Sequence, residues 1–194
     1  MYQWEAYVLI HISYTEFSKV YNPDTIMHRP PVESITIKHT VIPDHKLLEI
    51  REWIETIRDT FQDVDNSFHW ATNNQDKIPY KDYIKTHIYE HTNLDADHIW
   101  FQYYKWDECF HAHNHAHINT KRCGLLFLDE IGETCFICDK GRSTRPIKQI
   151  PSKAGKICTF PPEMYHYVMP HCQLNEMRLT IPFNCSNDTY RESS

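Results

Sequence analysis

The stretch Cys109 to His117 reads CFHAHNHAH, and four histidines, His111, His113, His115 and His117, fall on every second residue. In an extended strand, residues two apart share a face, so this spacing predicts all four imidazoles projecting the same way. A row of neutral imidazoles suits a divalent metal or a proton relay, but a closed metal centre needs donors from a second part of the chain. The second segment is AGKICTFPPEMYHYVMP. There a glycine opens a strand, the strand ends at Phe160-Pro161, and His166 stands on the next strand. Arg178 lies twelve residues beyond His166, in MRLTIPFN. If those two strands pair as an antiparallel hairpin, Arg178 returns alongside His166. An arginine in an apolar strand needs an anion, because a buried unpaired charge is costly, and a carboxylate held bidentately is its best partner.

These residues need elements to hold them. EAYVLIHI (5–12) and SITIKHT (34–40) are β-branched and apolar and read as strands, with NPD and RPP between them as turns. In PDHKLLEIREWIETIRDTFQDV the period changes. Leu47, Ile50, Trp53, Ile54, Ile57 and Phe61 recur at three and four residues, an amphipathic helix with Asp44 as its N-cap after Pro43. A weaker helix follows near 80–91, its stripe formed by Tyr83, Ile84, His87, Ile88 and His91. From residue 98 the texture is β. HIWFQYYKW, CGLLFLD, TCFIC, GKICTF, YHYVMP and MRLTIPFN are short strands separated by KGRSTRP, PSKAG, FPPE and HCQLN, a rhythm that points to a sandwich or barrel. The expected organisation is a single domain over 1–194. An α/β support region occupies 1–97, a mainly β core that carries the histidines 98–184, and a flexible tail 185–194.

The 194 residues suffice for one domain with a real core, at 41% hydrophobic and 13% aromatic residues. A net charge of -6 and the lack of a long basic run argue against nucleic acid as the partner. No stretch approaches the length of a membrane helix, and MYQWEAYVLIHISY lacks a basic leader and a small-residue cleavage site. Seven cysteines, an odd number at irregular spacing, fit reduced thiols and a cytoplasmic setting. The pair Cys135 and Cys138 stands in an apolar strand without a second pair at zinc-site spacing. Lys140, Arg142, Arg145 and Lys148, in an expected loop from Asp139 to Ser152, would form a basic rim.

The order of motifs resembles the iron(II)/2-oxoglutarate-dependent oxygenase superfamily, and within it an H-x-H variant branch found in bacterial and phage proteins. The matching residues are Trp100 and Tyr104, His115-Ala116-His117, CGLLFL, PSKAGKICTFP, HYVMP and RLTIPFN, spanning about 98–184. The resemblance implies a double-stranded β-helix (jelly-roll) core and a dioxygenase, a hydroxylase in its usual form, with Fe(II) and 2-oxoglutarate as cofactors. It implies His115, His117 and His166 as the metal ligands. It also implies that Arg178, Thr180 and Tyr104 bind the co-substrate, with Arg178 and Thr180 on its far carboxylate. In this chemistry 2-oxoglutarate is decarboxylated to succinate while the substrate, a protein side chain or a small molecule, is oxidised.

One feature departs from the family pattern. The usual facial triad is two histidines and one carboxylate, with the acid two residues after the first histidine. No H-x-D or H-x-E stands in the run, and His117 occupies the acid position when His115 is first. His113-Asn114-His115 is a second available H-x-H, and Asp139 is a candidate acid from elsewhere. Two other classes compete. One is a cupin-like metal protein or enzyme that does not use 2-oxoglutarate. The other is a non-catalytic relative that keeps the fold and binds a partner.

Overall fold

The computed structural model describes residues 31–57, 71, 74–106, 108–116, 119–137 and 146–186. The strand expected at 5–12, the C-terminal part of the first helix, the tail from 187 and residues 140–145 of the KGRSTRP segment lie outside these residues.

Two antiparallel sheets face one another. The larger has the order β1 (Thr36–His39), β8 (Lys156–Phe160), β5 (Arg122–Phe127), β10 (Arg178–Cys185) and β2 (His98–Ile99), with β3 (Gln102–Tyr104) also paired to β10. The smaller runs β4 (Phe110–His113), β9 (Tyr165–Val168), β6 (Glu133–Ile137) and β7 (Lys148–Pro151). From β3 onward the chain passes from one sheet to the other at every step except the β6–β7 hairpin, as in a jelly roll, and the fold is mainly β.

The inner and outer faces of the larger sheet are separated by strand parity. Residues Leu126, Ile157, Leu179, Ile181 and Phe183 turn outward and form one core with the helices α1 (Asp44–Ile57) and α2 (Lys81–Thr92). Cys123, Leu125, Phe127, Cys158 and Phe160 turn inward and meet Phe136 and Ile150 of the smaller sheet. The α1 stripe is buried through Ile50 and Ile54, with Leu47, Trp53 and Ile57 packed beside them. Trp53 meets Phe101 edge-on at 5.2 Å, a geometry worth about 0.5–1.5 kcal/mol beyond area burial.

Four expectations need adjustment. Leu47 N–H bonds to the Pro43 carbonyl at 3.0 Å, so Pro43 caps α1 and Asp44 is its first helical residue. Lys148 belongs to β7 rather than to a loop, because the backbone of 148–151 completes the edge of the smaller sheet against β6. Cys185 ends β10, and Ser186 bonds through its N–H and hydroxyl to Asp97, so both residues are tied down. Finally, β10 and β9 lie in different sheets. Arg178 does not return beside His166 in a hairpin. The segment between them carries the chain from the smaller sheet to the larger, and Arg178 pairs with Tyr104 instead.

Two glycines are dictated by contact. Gly155 has φ +79°, and a side chain there would strike the Thr40 carbonyl. Gly124 lies under the Phe183 ring on the neighbouring strand, so a Cβ would occupy the ring's space. Among the described residues, no helix is long and apolar enough to cross a membrane.

Candidate metal centre

The smaller sheet brings the histidines together. His113 of β4 stands directly opposite His166 of β9, with ring centroids 4.2 Å apart. His115, just past the end of β4, is held by its N–H to the Pro162 carbonyl at 2.8 Å. Its ring stacks parallel to that of His166 at 5.4 Å. One ligand atom from each of His113, His115 and His166 falls within 4.8 Å of the others. His117 and Asp139 lie outside the described residues, and for His111 only the backbone position in β4 is described.

The strand is not a regular comb. Between the pairs Phe110–Val168 and His113–His166, β4 spends three steps where β9 spends two. That extra residue is a β-bulge, and it resets the facing of the strand. Residues three apart on a regular strand face opposite ways, yet Phe110 and His113 meet edge to face at 4.7 Å. The expected alternation over all four histidines is therefore interrupted before His113, and it resumes from His113 to His115.

The centre is prepared for a cation. His166 places Nδ1 3.1 Å from the Met164 carbonyl. A carbonyl only accepts, so Nδ1 carries the proton and the lone pair sits on Nε2. Burial, reinforced by His113 and His115, holds the His166 pKa well below the ordinary imidazole range, so the ring is neutral at pH 7. Three imidazoles make a donor set that suits iron(II), zinc or nickel.

A cavity between the sheets connects these histidines with Arg178. Arg178 is fully buried on the inner face of β10 and reaches across to the smaller sheet. Its Nη2 donates to Thr134 Oγ1 at 2.7 Å, and its Nε donates to Ser152 Oγ at 3.2 Å. Its Nη1 is buried with no hydrogen-bond partner. The carbon of the guanidinium lies 5.5 Å from the Tyr104 ring and 5.7 Å from the Phe127 ring. Burial pushes the guanidinium pKa down, while Tyr104 and Asp129 pull it back up; an arginine nevertheless stays charged in proteins. Asp129 bonds to the N–H groups of Ile131 and Leu179, so it fixes the start of β10 beside Arg178. Two residues along β10, Thr180 is also fully buried and its Oγ1 has no partner.

A buried donor left unpaired costs about 1–3 kcal/mol. An unpaired Nη1 on a buried cation, beside an unpaired hydroxyl, is a cradle for an anion. It suits a carboxylate, because the guanidinium's N–H groups are set in a planar fork. The residues present thus fit both a divalent metal and a carboxylate co-substrate. The structure places Tyr104, Arg178 and Thr180 on two paired strands of the larger sheet and His113, His115 and His166 on the facing sheet. Sequence reasoning missed Thr134 and Ser152, which aim Arg178, because isolated hydroxyl residues in strands and turns carry no signal.

No protein-family profile and no curated protein matches the sequence. Solved structures do match. A prolyl-4-hydroxylase from Pseudomonas putida aligns over 79% of this chain and 93% of its own, with TM-score 0.50 and 11% identity. The non-heme alpha-ketoglutarate-dependent carbocyclase SnoK of nogalamycin biosynthesis aligns over 78% of each chain, with TM-score 0.55 and 9% identity. HygX from Streptomyces hygroscopicus, solved with nickel and 2-oxoglutarate bound, covers 78% of this chain and 81% of its own at TM-score 0.51 and 11% identity. The chain therefore shares the double-stranded β-helix fold of these proteins, with its three-histidine cluster and its buried arginine facing one another between the two sheets.

Proposed function

We propose that the chain is an Fe(II)- and 2-oxoglutarate-dependent oxygenase, acting as a hydroxylase on a protein side chain or a small molecule. The observation that carries this reading is one cavity with three convergent imidazoles on one wall and a buried, incompletely paired arginine on the other. The fold shared with SnoK and HygX supports it.

In this reading His113, His115 and His166 hold the metal, with His117 or Asp139 as further candidates. Arg178 and Thr180 take the far carboxylate of 2-oxoglutarate, and the Tyr104 ring closes the side of that pocket. The bound metal and co-substrate supply the activation of oxygen and the oxidation of the substrate. The chain's own contribution is positional. Thr134 and Ser152 aim the guanidinium so that Nη1 remains for the ligand. The Met164 carbonyl keeps the His166 lone pair on Nε2. The inward-facing Phe136, Phe160 and Val168 keep water from the histidines.

One observation favours a second reading. The described cluster has three imidazoles and no carboxylate, a donor set that also fits a cupin-like metal protein or enzyme that does not use 2-oxoglutarate. Anaerobic titration of the metal-free protein with Fe(II) and then 2-oxoglutarate separates the two, through the visible charge-transfer band of the chelate. The oxygenase reading requires the band in the wild type, its loss in His166→Ala, and a much higher 2-oxoglutarate demand in Arg178→Ala. Tight metal binding with no band would establish the second reading in its place.

A further inference from the structure

Besides Arg178 and Thr180, the inner face of β10 carries a third unsatisfied group at its far end. Asn184 is 6% exposed, lines the cavity, and its Oδ1 is buried with no hydrogen-bond partner. Its backbone is fixed from both sides, by Cys123 of β5 and His98 of β2, and its carbonyl accepts from Asp97 N–H at 3.0 Å. The side chain is therefore presented from a rigid strand.

Asn184 shares the inward parity of Arg178, six residues earlier. At about 3.3 Å per residue the two lie about 20 Å apart along the strand. A five-carbon diacid with bonds of about 1.5 Å is about 6 Å long. A 2-oxoglutarate held at Arg178 cannot reach Asn184. Trp100 lies on the Asn184 side of the histidines: its backbone N–H bonds to the Pro182 carbonyl at 3.1 Å, and its ring lies 6.0 Å from that of His115. Around Asn184 the described lining includes Trp100, Cys123, Gly124, Pro182 and Phe183, none of them charged.

We propose that Asn184 is a substrate-positioning residue. It accepts a hydrogen bond from an N–H or O–H of a neutral substrate whose flat or apolar body lies along Trp100 and Pro182. The inference rests on the oxygenase reading for its division of the cavity into a co-substrate end and a substrate end. A buried acceptor without a donor carries a desolvation cost that such a ligand removes, so the site discriminates strongly between ligands with and without the donor.

The test compares benzamide with N,N-dimethylbenzamide, which lacks the N–H, by ligand-observed NMR on the zinc-loaded protein with and without 2-oxoglutarate. The expected result is binding of benzamide about tenfold or more tighter than its dimethyl counterpart. In Asn184→Leu that preference disappears, while Asn184→Asp, which keeps the acceptor, retains it. Affinity for 2-oxoglutarate stays unchanged in both variants, which separates a local loss from misfolding. Equal binding of the two amides, no binding of either, or an undiminished preference in Asn184→Leu overturns the proposal. Failure of 2-oxoglutarate to bind the zinc-loaded wild type would instead remove the oxygenase reading, and the amide comparison without it would still decide whether Asn184 selects the donor.

Discussion

The Arg178 guanidinium and the Thr134 hydroxyl meet across the two sheets at 2.7 Å, one from β10 and the other from β6. This bond ties the strand of the buried arginine to the sheet that carries the histidines. Thr134→Val keeps the shape and removes the acceptor, leaving Nη2 buried and unpaired. The expected loss of stability is about 1–3 kcal/mol, with weaker 2-oxoglutarate binding from a mis-aimed fork. Chemical denaturation and the chelate titration read the two effects separately.

Metal affinity should depend on the residues that converge. His113→Ala and His166→Ala remove a donor outright and should each weaken Co(II) or Ni(II) binding by more than the roughly 10–100-fold typical of a lost outer partner. Isothermal titration of the metal-free protein measures this. Unchanged affinity in His113→Ala would assign the third position to His117 or Asp139.

Gly124→Ala places a methyl group where the Phe183 ring sits, on the helix-facing side of the larger sheet. Overpacking of this kind costs about 1–3 kcal/mol. Thermal melting should show the loss, and Phe183→Leu in the same chain should recover part of it by vacating the space.

Stability should fall on mild acidification. Burial, then the neighbouring His91, lowers the pKa of His87, whose Nε2 lies 2.7 Å from the Thr40 hydroxyl. His98 is lowered in the same way by burial, then by Lys85. The unfolded chain takes up these protons first, near the ordinary pKa of about 6.5. The fold therefore has its full contribution from these groups above that pH and loses it as pH falls toward their depressed native values. Urea midpoints between pH 7.5 and 5 should drop, and His87→Gln should flatten the slope.

Much of this architecture is written locally. The α1 stripe is legible because Ile50 and Ile54 repeat at helical spacing, and the strands of the core because apolar residues run between turn residues. β7 was missed since Lys-Gln-Ile-Pro has little β character and is held by its partner β6 alone. The placement of Arg178 beside His166 failed for a different reason. Twelve residues of separation fit a hairpin as well as a crossing between sheets, and only tertiary pairing distinguishes them. Likewise, four histidines two apart are equivalent until one of them acquires a cross-strand neighbour.

That equivalence gives the bulge in β4 a further meaning. The histidines of H-A-H-N-H-A-H superpose on one another when the run is shifted by two residues, so sliding the strand by one pleat would still offer a pair of imidazoles to His166. The repeat alone is degenerate in register. Two non-histidine anchors remove the degeneracy: Phe110 seated opposite Val168 before the extra residue, and the His115 N–H on the Pro162 carbonyl after it. Histidine supplies the repeat, while a phenylalanine and a proline carbonyl select which of its members face His166.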